Sequence, residues 1–175
     1  MAISSDHTNE SGEQLYCDIV SNELDTYETA SFAIVDVNGD GKNEVVLRSE
    51  GQVDYLYTIL YEYNGTVYGK QLGGGRSVQG LQTNGLFWGS GGAANGYVQS
   101  CEINGTRCEV ILEAYMDEEY SAYGFGTDTY EIRERATTKE EYESYLNQIG
   151  WQTDGSMEAE FYDYTTENIL ALLAA

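Results

Sequence analysis

Tyr55-Leu56-Tyr57-Thr58-Ile59-Leu60-Tyr61-Glu62-Tyr63, then Asn64-Gly65, then Thr66-Val67-Tyr68 is the run that decides the fold. Aromatic and β-branched residues fill both arms. A two-residue Asn-Gly loop between such arms is the strongest short-range hairpin signal, because both residues tolerate the positive φ of a type I′ turn. The run therefore reads as two antiparallel strands with aromatic cross-strand pairs. Asn-Gly recurs at 38, 84, 95 and 104, so residues 31 to about 135 read as an antiparallel meander. Proline is absent, which leaves glycine and asparagine to make the turns. Further strands are expected near 85–88, 97–103, 107–115 and 129–135.

Helical signals flank this region. Leu15, Ile19, Val20 and Leu24 recur at helical spacing and predict a first helix over residues 13–24. Thr138 with Glu141 forms a capping box ahead of an apolar stripe of Tyr142, Tyr145, Leu146 and Ile149, and Gly150 ends it. Thr166 opens a short C-terminal helix carrying Ile169, Leu170, Leu172 and Leu173. The expected class is α+β: an antiparallel β-meander sheet with an N-terminal helix and two C-terminal helices. Residues 1–11 read as a polar, disordered lead or an expression remnant, and residues 12–175 as a single domain.

One loop in the meander carries chemistry. Asp36-Val37-Asn38-Gly39-Asp40-Gly41-Lys42-Asn43-Glu44 lies between the apolar runs Phe32–Val35 and Val45–Leu47, with oxygen donors at alternate positions. Calcium takes six to eight oxygens, and a tightly wound loop offers side chains from positions 1, 3 and 5, here Asp36, Asn38 and Asp40. The position-7 carbonyl would be that of Lys42, and Gly41 permits the sharp turn. Leu47 stands where an EF-hand needs its bidentate Glu, and Glu44 comes at position 9, so the loop is not an EF-hand. The competing reading is a plain turn satisfied by Asx-type hydrogen bonds. Three carboxylates within nine residues favour the metal, since without it they repel one another. The loop resembles the Asp-x-Asn-x-Asp-Gly-x-x-Asp/Glu calcium loops of FG-GAP repeats and related bacterial extracellular modules. That resemblance implies Asp36, Asn38, Asp40, Lys42 through its carbonyl, and Glu44 as ligands.

Charge narrows the partners. Thirty acidic residues against eight basic ones give a net charge of -22, which disfavours nucleic acid and anionic membrane surfaces. No apolar run approaches bilayer length, and the opening residues lack a signal region. The sole histidine, His7, lies in the polar lead, which removes His-based triads, Cys-His pairs and His-ligated zinc. If Asn104-Gly105 forms the turn, Cys101 and Cys108 face each other across a hairpin, either bridged or as packed thiols. Cys17 reads as a buried structural thiol on the first helix. Gly89-Ser90-Gly91-Gly92-Ala93-Ala94 has the letters of a dinucleotide fingerprint but leads into a strand, so a glycine-rich loop between strands is the better account. The sixteen tyrosines, with Trp88 beside that loop, suit half-buried sheet faces or a sugar-stacking platform.

Taken together, Ser31–Leu47, Tyr55–Tyr68, Leu86–Ala94 and Thr138–Trp151 resemble secreted or lipid-anchored domains of unknown function from Gram-positive bacteria. Those domains pair an acidic Asp-Gly loop with a later Gly-Ser-Gly-Gly-Ala-Ala segment. The resemblance implies an extracellular or cell-envelope location. The expectation is an extracellular domain that binds one structural calcium and acts as a binding or interaction module for an envelope protein or carbohydrate, with no catalytic residues assigned. The alternative is a carboxylate-dependent hydrolase acting on polysaccharide.

Overall fold

The structure, a computed structural model, describes residues 2–3, 30–50, 55–73, 78–92, 94–118 and 128–173. The tyrosine-rich run forms β4 (Tyr55–Tyr63) and β5 (Thr66–Gly73), with Tyr63 paired to Thr66 and Tyr61 to Tyr68. Asn64 and Gly65 take φ of 54° and 74° between them, the type I′ geometry their identities allow. The rings of Tyr61 and Tyr68 stack with centroids 5.8 Å apart.

Outward from this hairpin, β3 (Glu44–Glu50) pairs with β4 and β2 (Ala30–Val35) pairs with β3. β1 (Ala2–Ile3) joins beside β5, and β12 (Tyr162–Asp163) beside β2, completing a six-stranded antiparallel sheet. The second six-stranded sheet runs in chain order: β6 (Gly80–Leu81), β7 (Phe87–Gly89), β8 (Asn95–Asn104), β9 (Arg107–Asp117), β10 (Thr129–Ile132) and β11 (Arg135–Thr137). Ala33, Val46, Tyr57, Ile59 and Leu72 of the first sheet share one buried cluster with Leu81, Phe87, Cys101 and Cys108 of the second. The core thus lies between the two sheets.

The expected α+β domain is therefore corrected. The described chain is mostly β, in two antiparallel sheets, and its only described helices are short: α1 (Lys139–Gln148) and α2 (Thr166–Leu173). Turn chemistry predicts hairpins, but which hairpins share a sheet is decided by packing distant in sequence, and the ladder breaks between β5 and β6. The helix predicted over 13–24, with Cys17, lies outside the described residues. At α1 the Thr138 hydroxyl accepts from the Glu141 amide, and the Glu141 carboxylate accepts from that of Thr138. Tyr142 of α1 packs on Tyr130 of β10 with centroids 5.4 Å apart, in a second cluster with Leu86, Val98 and Ala114.

Three local expectations also change. The β8–β9 turn is Gly105-Thr106, with Gly105 at φ 60°, the glycine-first arrangement of a type II′ turn. Ile103 then opposes Cys108, and Cys101 opposes Val110, so the two cysteines are diagonal neighbours and both are free thiols. The stretch 129–135 is a hairpin rather than one strand, turning at Arg133 and Glu134 with φ of 46° and 63°. Asn95-Gly96 begins a strand instead of a turn.

Candidate functional site

The loop joining β2 to β3 is wound around one side chain. The Asp36 carboxylate accepts from the amides of Gly39 (2.7 Å), Asp40 (3.1 Å) and Gly41 (2.8 Å). Asn38 Oδ1 accepts from the Asp40 amide at 3.1 Å, and Asp40 Oδ1 from that of Lys42 at 2.8 Å. Gly39 and Gly41 sit at φ of 73° and 86°, a conformation that side-chain-bearing residues there would resist. A third glycine fixes the loop from outside. Any Cβ at Gly85, in the β6–β7 turn, would come within 2.8 Å of the Asp36 and Val37 backbone.

Glu44 closes the loop as the first residue of β3. Its partner across the ladder is Val35, which places it on the core-facing side of the sheet, 5% exposed. Among the described residues its carboxylate has one hydrogen-bond donor, the Val37 amide at 3.0 Å. Burial pushes its pKa from 4.5 up to about 7; the Val37 hydrogen bond opposes this, and the carboxylates of Asp40 and Asp36 reinforce it. A buried carboxylate flanked by two others is a group that a cation would relieve.

All five sequence-predicted ligands thus lie in one loop, with Asp36 and Asn38 half-buried, Asp40 and Lys42 exposed, and Glu44 buried. Among the described residues, no three His, Cys, Asp or Glu side chains converge as a ready-made metal cage. Here the Asp36 and Asp40 oxygens are turned onto the loop's own amides. The donor chemistry still fits a hard divalent ion: four residues with side-chain oxygens and the Lys42 carbonyl lie within nine residues. A bound calcium would add to the single nearby positive charge, Lys42, that Glu44 has against Asp36 and Asp40.

A cleft of about 260 Å³ opens beside the loop, lined by Asn38, Asp40, Lys42, Asn43 and Glu44 on one wall and by Tyr61, Glu62, Tyr63, Ile103 and Gly105 on the other. The far wall was not anticipated from the sequence, because it joins the β4–β5 and β8–β9 hairpins from different sheets. Tyr61 ties them, its hydroxyl donating to the Thr106 carbonyl at 3.0 Å.

A second polar centre also escaped sequence reading. The β8–β9 register slips so that Val98 opposes Ala114 and Gln99 opposes Leu112, leaving Glu113 as the extra residue of a bulge. Its buried carboxylate accepts from the hydroxyls of Ser100 (2.6 Å) and Tyr145 (2.5 Å) and from Nε and Nη2 of Arg133 (2.9 and 3.1 Å). Burial raises its pKa, but these donors outweigh that and hold it below the ordinary value. The group is saturated, and it braces the hairpin of Arg133 and the helix of Tyr145. The available signal was the run Val110-Ile111-Leu112 before Glu113, which strict alternation cannot accommodate.

The glycine-rich segment links β7 to β8 with no helix after it, so it offers no N-terminus for a pyrophosphate. Trp88 lies over Gly80, where a Cβ would collide with the indole.

No family model, curated protein or solved structure matches the chain.

Proposed function

We propose that this chain is an extracellular or envelope-associated calcium-binding domain, in which Asp36, Asn38, Asp40, the Lys42 carbonyl and Glu44 hold one ion and the domain serves as a binding module. The observation that carries the reading is Glu44: a carboxylate 5% exposed, closing an acidic loop, with no ion pair among the described residues and only the nearby charge of Lys42 to offset Asp36 and Asp40. Burying such a charge alone is costly, and a resident divalent ion removes the cost. The loop's likeness to FG-GAP calcium loops points the same way. Calorimetric titration of chelator-treated protein is expected to show one site, roughly in the 10⁻⁴ to 10⁻³ M class of extracellular modules or tighter. Asp40→Ala is expected to abolish the heat. If calcium produces no heat with the wild-type protein, the reading is wrong.

The hydrolase alternative rests on the same cleft. A carboxyl titrating near 7 beside the carboxylates of Asp40 and Glu62 is a pairing that glycosidic acid–base chemistry uses. Aryl glycosides hydrolysed faster after chelation, and not at all by Glu44→Gln, would favour it over the calcium module.

A further inference from the structure

Two thiols sit in the buried cluster with chemistry that the calcium reading does not use. Cys101 opposes Val110 and Ile103 opposes Cys108, so Cys101 and Cys108 project from one face of the β8–β9 hairpin into the core. The Cys101 thiol donates a hydrogen bond to the Cys108 sulfur. Their access differs. Cys108 lines a second cleft, of about 600 Å³, whereas Cys101 is 3% exposed and takes no part in its lining. Lys70, Arg107 and Glu109 share that cleft; Arg107 pairs with Glu109, and Lys70 has no ion pair among the described residues. The hydrogen bond from Cys101 holds the Cys108 thiol below its ordinary range, against burial, with Lys70 aiding and Glu44 opposing. The same bond and burial push Cys101 up. Cys108 is thus the first of the pair to ionise and the first that a molecule in the cleft meets.

We propose that Cys101 and Cys108 form a redox-active dithiol that reduces a small, carboxylate-bearing organic disulfide, Cys108 attacking and Cys101 resolving. The proposal is independent of the calcium reading. The Cys108 thiolate attacks one sulfur of the reagent, so that a Cys108–reagent bond forms, the reagent's own S–S bond breaks, and one half leaves as a thiolate. Cys101 then attacks Cys108 Sγ, closing the protein disulfide and releasing the second half. The two protein thiol protons leave with the two halves, and two electrons pass from the cysteines to the reagent. Lys70 supplies the charge that a carboxylate-bearing reagent needs to approach a protein of net charge -22. Diagonal neighbours stand about 7–8 Å apart and a disulfide spans up to about 6.8 Å between Cα atoms, so closing this one draws the strands together. A bridge held under that strain is readily reduced, which suits a reversible couple and not a permanent staple.

For the test, reduced protein is incubated with glutathione disulfide, alkylated and mapped by mass spectrometry, with circular dichroism to confirm that each variant is folded. Wild type is expected to lose two hydrogens, as a Cys101–Cys108 disulfide with no glutathione retained, and excess reduced glutathione is expected to reverse it. Cys101→Ser is expected to trap glutathione on Cys108, with Cys101→Ala in its place if the serine variant does not fold. Cys108→Ser is expected to leave Cys101 unmodified. Lys70→Gln is expected to slow the reaction with glutathione disulfide about fivefold without slowing that with cystamine, whose ends are cationic. Wild type whose Cys101 and Cys108 react only after urea unfolds it overturns the proposal, since the thiols are then core packing. Glutathione retained on Cys108 of wild type, with no bridge, overturns the resolving role of Cys101. A bridge that excess reduced glutathione leaves intact overturns the reversible couple. An equal effect of Lys70→Gln on both reagents overturns the selection for carboxylates.

Discussion

Glu44 and Tyr57 are both buried polar residues, and they make opposite predictions. Glu44 in the calcium-free protein titrates at about 7 against an ordinary 4.5. Because the folded state penalises its charged form, calcium-free stability falls as pH rises above about 4.5, and the loss is complete above about 7. At about 1.4 kcal/mol per pKa unit, the cost is on the order of 3 kcal/mol at most. Thermal melts in chelator from pH 5 to 8 should show a steeper decline for wild type than for Glu44→Gln; parallel profiles would contradict this. Tyr57 is fully buried, its hydroxyl has no hydrogen-bond partner among the described residues, and burial pushes its pKa to about 12. The nearby positive charge of the Arg48 guanidinium opposes that shift. The ring's edge contacts with Phe87 and Phe161 do not need the hydroxyl. Tyr57→Phe should therefore leave the melting temperature unchanged or raise it, by up to about 1 kcal/mol in stability. A large loss would mean that the hydroxyl has a partner after all.

Among elements, the bulge at Glu113 and the turn at Arg133-Glu134 form one device. The turn places two non-glycine residues at positive φ, each costing on the order of 1 kcal/mol, and the ion pair from Arg133 to Glu113 holds it in place. Glu113→Ala should cost about 2–3 kcal/mol by urea denaturation, because the Ser100 and Tyr145 hydroxyls lose their acceptor with it. Glu134→Gly should raise stability by about 0.5–1 kcal/mol, since glycine adopts that φ without strain. This pairing marks how far the sequence could be read. Asn64-Gly65 announced its hairpin because each residue suits its own dihedrals. Arg133-Glu134 announced nothing, since a salt bridge twenty residues away imposes that conformation. Asn104-Gly105 marked a hairpin but not its turn, which is Gly105-Thr106, because glycine serves equally as the second residue of a type I′ turn or the first of a type II′. The acidic loop was legible because its chemistry is local. The aromatic wall of its cleft was not, since Tyr63 and Gly105 meet only when two sheets pack.

For the whole molecule, net charge offers a rival explanation for any response to calcium. A chain at -22 repels itself, and any salt relieves some of that repulsion. Screening and site binding differ in the concentration they need. The Debye length is still about 30 Å at 0.01 M ionic strength, so calcium at about 1 mM screens little, whereas sodium chloride must approach about 0.1 M to act over 10 Å. The melting temperature of chelator-treated protein should therefore rise at about 1 mM calcium well beyond its rise in sodium chloride of equal ionic strength. Magnesium should do less than calcium, because it demands near-ideal octahedral geometry and sheds water reluctantly, while this loop gathers its donors around an irregular turn. In Asp40→Ala the calcium curve should collapse onto the sodium one. If calcium, magnesium and matched sodium shift wild type equally, the acidic surface accounts for the whole effect and the loop is an ordinary turn.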